Sequence, residues 1–293
     1  ARDRRLGREV ALKVIHRHLR ENAEVARRFA GEALAVAKVN HPNIVEVYDV
    51  SGEDEEERYL VVELIEGCTL RELLTRRGPL PGEVAACIAV EVSRALAQAH
   101  DQGIVHRDVK PENVLLRLGD EDGKDDTARV KLTDFGIAKL LDAQGVICTG
   151  QVLGSPSYMA PEHIEVGDGD ARSDVFVFGV LLYEMLTGTL PFEGKNPAQV
   201  LRRVLEGTFV PAERARSEVG FRYGQIVGRA LAHRADDRYA TATVLADELE
   251  AELNRLGVTQ VRAEISSYLQ DPEQYVERHR QSIPDRLAER AAE

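Results

Sequence analysis

The sequence predicts an α+β fold in two lobes: a β-rich small lobe with one main helix, then a larger, mostly α-helical lobe. Three observations predict it. Short runs rich in β-branched and apolar residues recur before Gly67. Long stretches of helical period follow it. Gly67 itself punctuates the change. The division drawn from this is 1–66 for the small lobe, 67–255 for the large lobe and 256–293 for a helical C-terminal extension or linker.

Each element has its own reason. Residues 9–16 (EVALKVIH) are apolar and β-branched and read as a strand. Residues 22–38 place Phe29, Ala33 and Val36 on one side at helical spacing. Residues 44–50 and 59–65 read as two further strands. The acidic run Glu53–Glu57 between them reads as a solvated hairpin tip. Residues 83–102 carry a long apolar stripe and read as the helix that cores the large lobe. Asp120–Asp126 is an acidic insertion between two short predicted strands, read as a disordered tip. Residues 174–187 and 241–255 read as helices, with Pro191-Phe192 and Asn196-Pro197 as punctuation between them. In the tail, Pro272 and Pro284 stand like first residues of two short helices. No internal repeat is present.

Composition narrows the class. Of 293 residues, 43% are hydrophobic and 30% charged, which suits a soluble two-lobed domain with a short extension. No run of 18 apolar residues exists, so no membrane-spanning helix is encoded in this chain. Residues 1–20 are basic but lack an apolar core, so they are not a signal peptide. The net charge of −12 argues against a nucleic-acid surface. Cys68, Cys87 and Cys148 are far apart and odd in number. They suit reduced thiols in a cytoplasmic protein, small side chains wholly or half buried.

The chemistry concentrates in two segments. His106-Arg107-Asp108-Val109-Lys110-Pro111-Glu112-Asn113 is followed by Asp134-Phe135-Gly136. Transferring the γ-phosphoryl of ATP asks a protein mainly for positioning and charge neutralisation. A carboxylate must orient the attacking hydroxyl and accept its proton; an asparagine and a second carboxylate must hold metal ions on the phosphates. Asp108, Asn113 and Asp134 stand at that spacing, with Val109 where the signature H-R-D-L-x-x-x-N has Leu. Further motifs occur in order: Val10-Ala11-Leu12-Lys13, Glu32 on the helical pattern after it, Ala160-Pro161-Glu162, Asp174 through Gly179, and Arg238. On these residues, over roughly 1–253, the chain resembles the eukaryotic-like protein kinases, and within them the bacterial Ser/Thr kinases.

The resemblance implies a set of roles. Lys13 would reach the α- and β-phosphates of ATP, with Glu32 holding its ammonium. Asp108 would be the base and Lys110 would contact the γ-phosphate, which points to Ser/Thr hydroxyls of protein substrates. Asn113 and Asp134 would bind Mg²⁺. Ala11 and Leu115 would sandwich adenine, and the backbone of Glu63 and Ile65 would hydrogen-bond it. His106 and Phe135 would stack with Val36 and Val47 above Asp174, as packing rather than acid–base groups. Arg238 would pair with Glu162. Arg107 implies a switch by phosphorylation of the activation segment, with Thr149 as the acceptor and self-association for transfer in trans; a plain loop threonine is the other reading of Thr149. Ser155 stands where the family usually has Thr and could bridge Asp108 and Lys110.

One departure stands out. The family's G-x-G-x-x-G-x-V loop is missing, and residues 1–9 look like the turn that follows it. The chain is expected to be a fragment opening mid-lobe, with an unpaired edge on the Lys13 strand and weak or no nucleotide binding. A pseudokinase-like interaction module is therefore the alternative to a kinase. A small-molecule phosphotransferase is disfavoured by the peptide-gripping segment Ser155–Glu162. The whole protein could be membrane-anchored through a region outside this chain.

Overall fold

The computed structural model describes residues 1–14, 31, 33–52, 59–117, 129–135, 156–167 and 169–279. The small lobe is an antiparallel sheet of β1 (Val10–Val14), β2 (Val47–Val50) and β3 (Tyr59–Glu63) in the order β1-β3-β2. Along β3 the side chains alternate, so Leu60 and Val62 turn inward with Ala33 and Val45. Ala11 pairs with Val62 and Lys13 with Leu60. Ahead of β1 lies the expected turn: Asp3 accepts from the N–H groups of Arg5 and Leu6, and Arg2 pairs back onto Glu9.

The expected strand 44–50 is shorter than its β-branched run suggests. Ile44 pairs instead with Leu132 of the large lobe as an isolated parallel bridge. The turn at His41-Pro42-Asn43 redirects the chain before β2 begins. Likewise β3 ends at Glu63, and Leu64 to Glu66 leave the sheet as the connection between lobes. Gly67 has a steric reason: a Cβ there would lie 2.0 Å from the carbonyl oxygen of Leu116.

A second sheet, β4 (Cys68–Thr69), β5 (Val114–Arg117) and β6 (Arg129–Leu132), floors the cleft in the order β4-β5-β6. The acidic insertion between β5 and β6 lies outside the described residues, as does the run 53–57. Helix α1 (Leu70–Arg77) starts on a capping box, Thr69 to the Glu72 N–H and Glu72 back to the Thr69 N–H. Helices α2 (Gly82–Asp101) and α4 (Ala171–Thr187) are apolar nearly all round, which forces both into the interior. Between them in sequence lies the short α3 (Pro161–Glu165). Around them pack α5 (Pro197–Glu206), α6 (Ala212–Ala215), α7 (Gly220–Ala230) and α8 (Ala242–Arg255).

The chain beyond 255 is docked on this core. Helix α9 (Val261–Gln270) lies on α2, and residues 272–279 form a further helical stretch begun by Pro272. Leu256, Val258, Ile265, Tyr268 and Tyr275 are all buried there. Apolar area of this extent stabilises by about 25 cal/mol per Å² removed from water, which holds the segment down. Pro284 lies outside the described residues. No described helix is long and apolar enough to cross a membrane. Cys87 is buried and Cys68 half buried, both are free thiols, and burial pushes both thiol pKa values up. Cys148 lies outside the described residues.

Candidate active site

The loop after α2 is folded by a buried carboxylate. Asp174 of α4 accepts from the His106 N–H at 2.7 Å, the Arg107 N–H at 2.8 Å and the His100 ring at 2.8 Å. Burial by itself would raise its pKa, but these bonds outweigh it and keep the carboxyl below its usual value. The clamp holds Arg107 at φ 64°, a left-handed conformation that costs a non-glycine residue energy. Among the described residues, the other non-glycine with positive φ is Asp134, at 60°. Both strained residues therefore lie in the two signature segments.

His106 is fully buried, and burial pushes its pKa down, so the ring is neutral. Its Nδ1 accepts from the Asp108 N–H at 3.2 Å. The proton therefore sits on Nε2, which donates to the Thr133 carbonyl at 3.0 Å. The ring packs against Phe135 with centroids 4.4 Å apart and the planes tilted by 41°. Val36, Val47 and Phe135 line one cavity with Lys13, Val62 and Asp134. Of the expected column, the His106–Phe135 contact and the Asp174 anchor beneath it are in place, with His106 held as a structural donor.

Asp108, Lys110 and Asn113 converge. The Asp108 carboxylate accepts from Lys110 Nζ at 2.7 Å and from Asn113 Nδ2 at 2.9 Å, and its carbonyl takes a second Asn113 bond at 2.7 Å. Both amide protons of Asn113 are used on Asp108, which leaves its side-chain oxygen as an acceptor not engaged by these two bonds. The Thr133 N–H donates to the Asn113 carbonyl at 2.9 Å, so Asp134 follows immediately beside it. Lys13 reaches across from β1 to Thr133 Oγ1 at 3.1 Å and forms an ion pair with Asp134. Two oxygen-bearing side chains at one end of the cleft fit Mg²⁺, which needs few protein ligands because phosphates and waters complete its shell. No group of three or more His, Cys, Asp or Glu able to hold a metal occurs among the described residues.

Ala11, Ile65 and Leu115, the expected adenine contacts, pack against the same cluster as Val45, Leu60 and Val62. The Glu63 N–H is committed to the Glu46 carbonyl at 2.9 Å. Its carboxylate pairs with Lys131 Nζ at 2.6 Å, a buried lysine on the floor. Glu32, Thr149 and Ser155 lie outside the described residues.

The expected Arg238–Glu162 pair is present and unusually complete. Arg238 meets Glu162 bidentately at 2.7 and 2.9 Å. Its remaining donors reach the carbonyls of Ala232, Arg172 and His233 at 2.8, 3.0 and 2.8 Å. All five guanidinium N–H groups are thereby used. Burial would raise the Glu162 pKa, but hydrogen bonds from Arg238 and Ser173 outweigh it and hold the carboxyl at about 2, against the usual 4.5. A depressed folded-state pKa stabilises fully above the unfolded value and is lost on acidification. The stability difference between the parent and Glu162→Gln should therefore shrink as pH falls from about 4.5 toward 2. Urea midpoints taken across that window check this; a constant difference would contradict it.

Several residues that frame the site stand outside the sequence motifs. Asn43 and Glu91 tie the small lobe to α2. Arg71, Glu112, Tyr158 and Glu184 form a further cluster, with Arg71 at 2.7 Å from Glu112 and 2.5 Å from Glu184. The turn at His41-Pro42-Asn43 was a legible marker for the first pair. Nothing in sequence links the four residues of the second, which come from four separate segments.

Comparison with known proteins agrees with this geometry. The protein kinase domain family matches residues 1–248. The serine/threonine-protein kinase PknL of Mycobacterium tuberculosis is 40% identical over 260 residues, covering 89% of this chain and 63% of PknL. PrkC of Bacillus subtilis, also a serine/threonine-protein kinase, is 36% identical over 253 residues, covering 86% of this chain and 37% of PrkC. The chain thus spans less than two thirds of the length of these relatives. Among solved structures, the PknI kinase domain of Mycobacterium tuberculosis superposes with TM-score 0.64 at 27% identity, covering 83% of this chain and 84% of that one. Rad53 1–466 in complex with AMP-PNP superposes with TM-score 0.66 at 26% identity, covering 83% of this chain and 58% of that one. With the family match running over the lobes that carry Lys13, Asp108, Asn113 and Asp134, the chain belongs to the protein kinase domain family and is similar to bacterial serine/threonine-protein kinases.

Proposed function

We propose that this chain is the catalytic region of a serine/threonine kinase that transfers the γ-phosphoryl of ATP to hydroxyls of protein substrates. The observation that carries the reading is the Asp108 carboxylate, held by Lys110 at 2.7 Å and Asn113 at 2.9 Å at the mouth of the cleft. Asp108 orients the substrate hydroxyl and takes its proton. Lys110 keeps that carboxylate in place and offers a cation to the transferring group. Asn113 Oδ1 and Asp134 would hold Mg²⁺, which supplies charge neutralisation on the phosphates when bound. Lys13 would exchange its contact with Asp134 for the phosphates and Glu32. Ala11 and Leu115 would enclose adenine, with Ile65 and the Glu63 carbonyl supplying main-chain contacts, since the Glu63 N–H is already used.

The same reading includes a switch. Thr149 would be phosphorylated in trans by a second copy, Arg107 would receive the phosphate, and Ser155 would then be drawn toward Asp108 and Lys110. A cytoplasmic location for this region, with the whole protein anchored elsewhere, belongs to the same proposal. The test is transfer of label from γ-labelled ATP with Mg²⁺ to a generic basic protein, with the glycine-rich loop of a relative joined ahead of Ala1. Serine or threonine labelling is expected, together with phosphate on Thr149 by mass spectrometry and loss of most activity in Thr149→Ala. Nucleotide binding with no transfer would favour the pseudokinase reading instead. Phosphate at another residue, or full activity in Thr149→Ala, would remove the switch from Thr149.

A further inference from the structure

Glu91 sits on α2 in the middle of an apolar helix and is only 3% exposed. A buried carboxylate is costly unless it is paired and hydrogen-bonded. Among the described residues, one basic side chain lies within ion-pair distance of it: Arg262 of α9, with Nε 3.4 Å from Oε2. The neighbouring cations are engaged elsewhere, Arg94 with Glu250 and Lys131 with Glu63. Arg262 lies past residue 248, where the family match ends.

The same Glu91 oxygen accepts from Asn43 Nδ2. Asn43 is buried and gives its second amide proton to the Val130 carbonyl at 2.9 Å. Its own carbonyl accepts from the Leu132 N–H at 2.8 Å, and the Val45 N–H donates to the Leu132 carbonyl at 3.0 Å. Residues 43–45 are thus a strap by which the small lobe grips β6. Two residues beyond Leu132 stands Asp134.

We propose that Arg262 is a positioning residue: by neutralising Glu91 it holds Asn43 and the 43–45 strap on β6, so that docking of α9 sets the pose of the segment that ends in Asp134. The chain of contact is continuous, from Arg262 to Glu91, to Asn43, to the backbone of β6. Without the guanidinium, the buried carboxylate would draw in water or a proton, and its grip on Asn43 would weaken. The consequence for catalysis rests on the metal role proposed for Asp134. The structural coupling does not, and it is tested separately.

The experiment is amide hydrogen exchange on the 293-residue chain in five forms: parent, Arg262→Ala, Arg262→Lys, Glu91→Gln and the double variant Glu91→Gln with Arg262→Ala. Exchange at Val45 and Leu132 should rise about tenfold or more in Arg262→Ala. Lysine should restore part of the protection. The double variant should restore most of it, because an uncharged amide needs no counter-ion and still accepts from Asn43. Unchanged exchange at Val45 and Leu132 in Arg262→Ala would overturn the proposal. So would equal loss of protection along α9, since the arginine would then merely hold its own helix. Failure of Glu91→Gln to rescue would overturn it too. Were transfer activity absent altogether, the exchange pattern would still decide this point.

Discussion

Asp108→Asn should cut turnover by about 10²-fold or more while leaving nucleotide binding largely intact. The substitution keeps the shape of the side chain and its place beside Lys110 and Asn113, whose contacts at 2.7 and 2.9 Å fix the carboxylate in the parent. What it removes is the capacity to take a proton and the negative charge that Lys110 answers. The main-chain anchor at Asp108, its carbonyl bonded to Asn113 at 2.7 Å, survives the change. The nucleotide contacts proposed for Ala11, Lys13 and Leu115 lie on other segments. The measurement pairs steady-state turnover with nucleotide titration by calorimetry, both in the loop-bearing form. Equal turnover in parent and variant would refute the base assignment. Equal loss of binding and turnover would place Asp108 in ground-state nucleotide binding instead.

Arg238→Met should destabilise the large lobe by about 3 kcal/mol, near the lower end of what breaking a buried ion pair costs. The guanidinium side chain is fully buried, while the Glu162 side chain is 23% exposed and can recover some hydration, which places the expectation low in the range. The loss is more than one ion pair. Three carbonyls, of Ala232, Arg172 and His233, lose their donor, and methionine can offer none. The guanidinium also lies over the Phe176 ring, 4.8 Å from its centroid. Urea unfolding checks the value. A change under about 1 kcal/mol would mean that the carbonyls find other donors. Double replacement with Glu162→Gln should cost less than the sum, since the two residues share one network.

Much of the site was legible because phosphoryl transfer constrains residue types at short spacing. Asp108, Lys110 and Asn113 lie within six positions of one another, so one loop must present them together. The stacking of His106 on Phe135 and the pairing of Arg238 with Glu162 were expected from resemblance, and the structure places both pairs in contact. The strand limits were less legible. The run from Ile44 to Val50 is mostly β-branched and aromatic, yet its first two residues serve β6 and its last four serve β3. Propensity records what a backbone prefers, not which partner it meets.

The sequence alone determined the family, the two-lobed order of elements and the order of the motif residues, because local spacing and hydrophobic period are properties of the chain itself. Tertiary structure decided what depends on distant segments meeting. It paired Lys13 with Asp134 across the cleft, fixed the proton of His106 on Nε2, and put Arg262 against Glu91. It also docked α9 on α2 and buried Leu256, Val258, Ile265, Tyr268 and Tyr275, in a tail whose charged, helix-forming sequence reads only as a helical extension or linker. Burial and electrostatic pairing arise only once separate parts of the chain share one low-dielectric interior, and no pattern along a single segment encodes that neighbour.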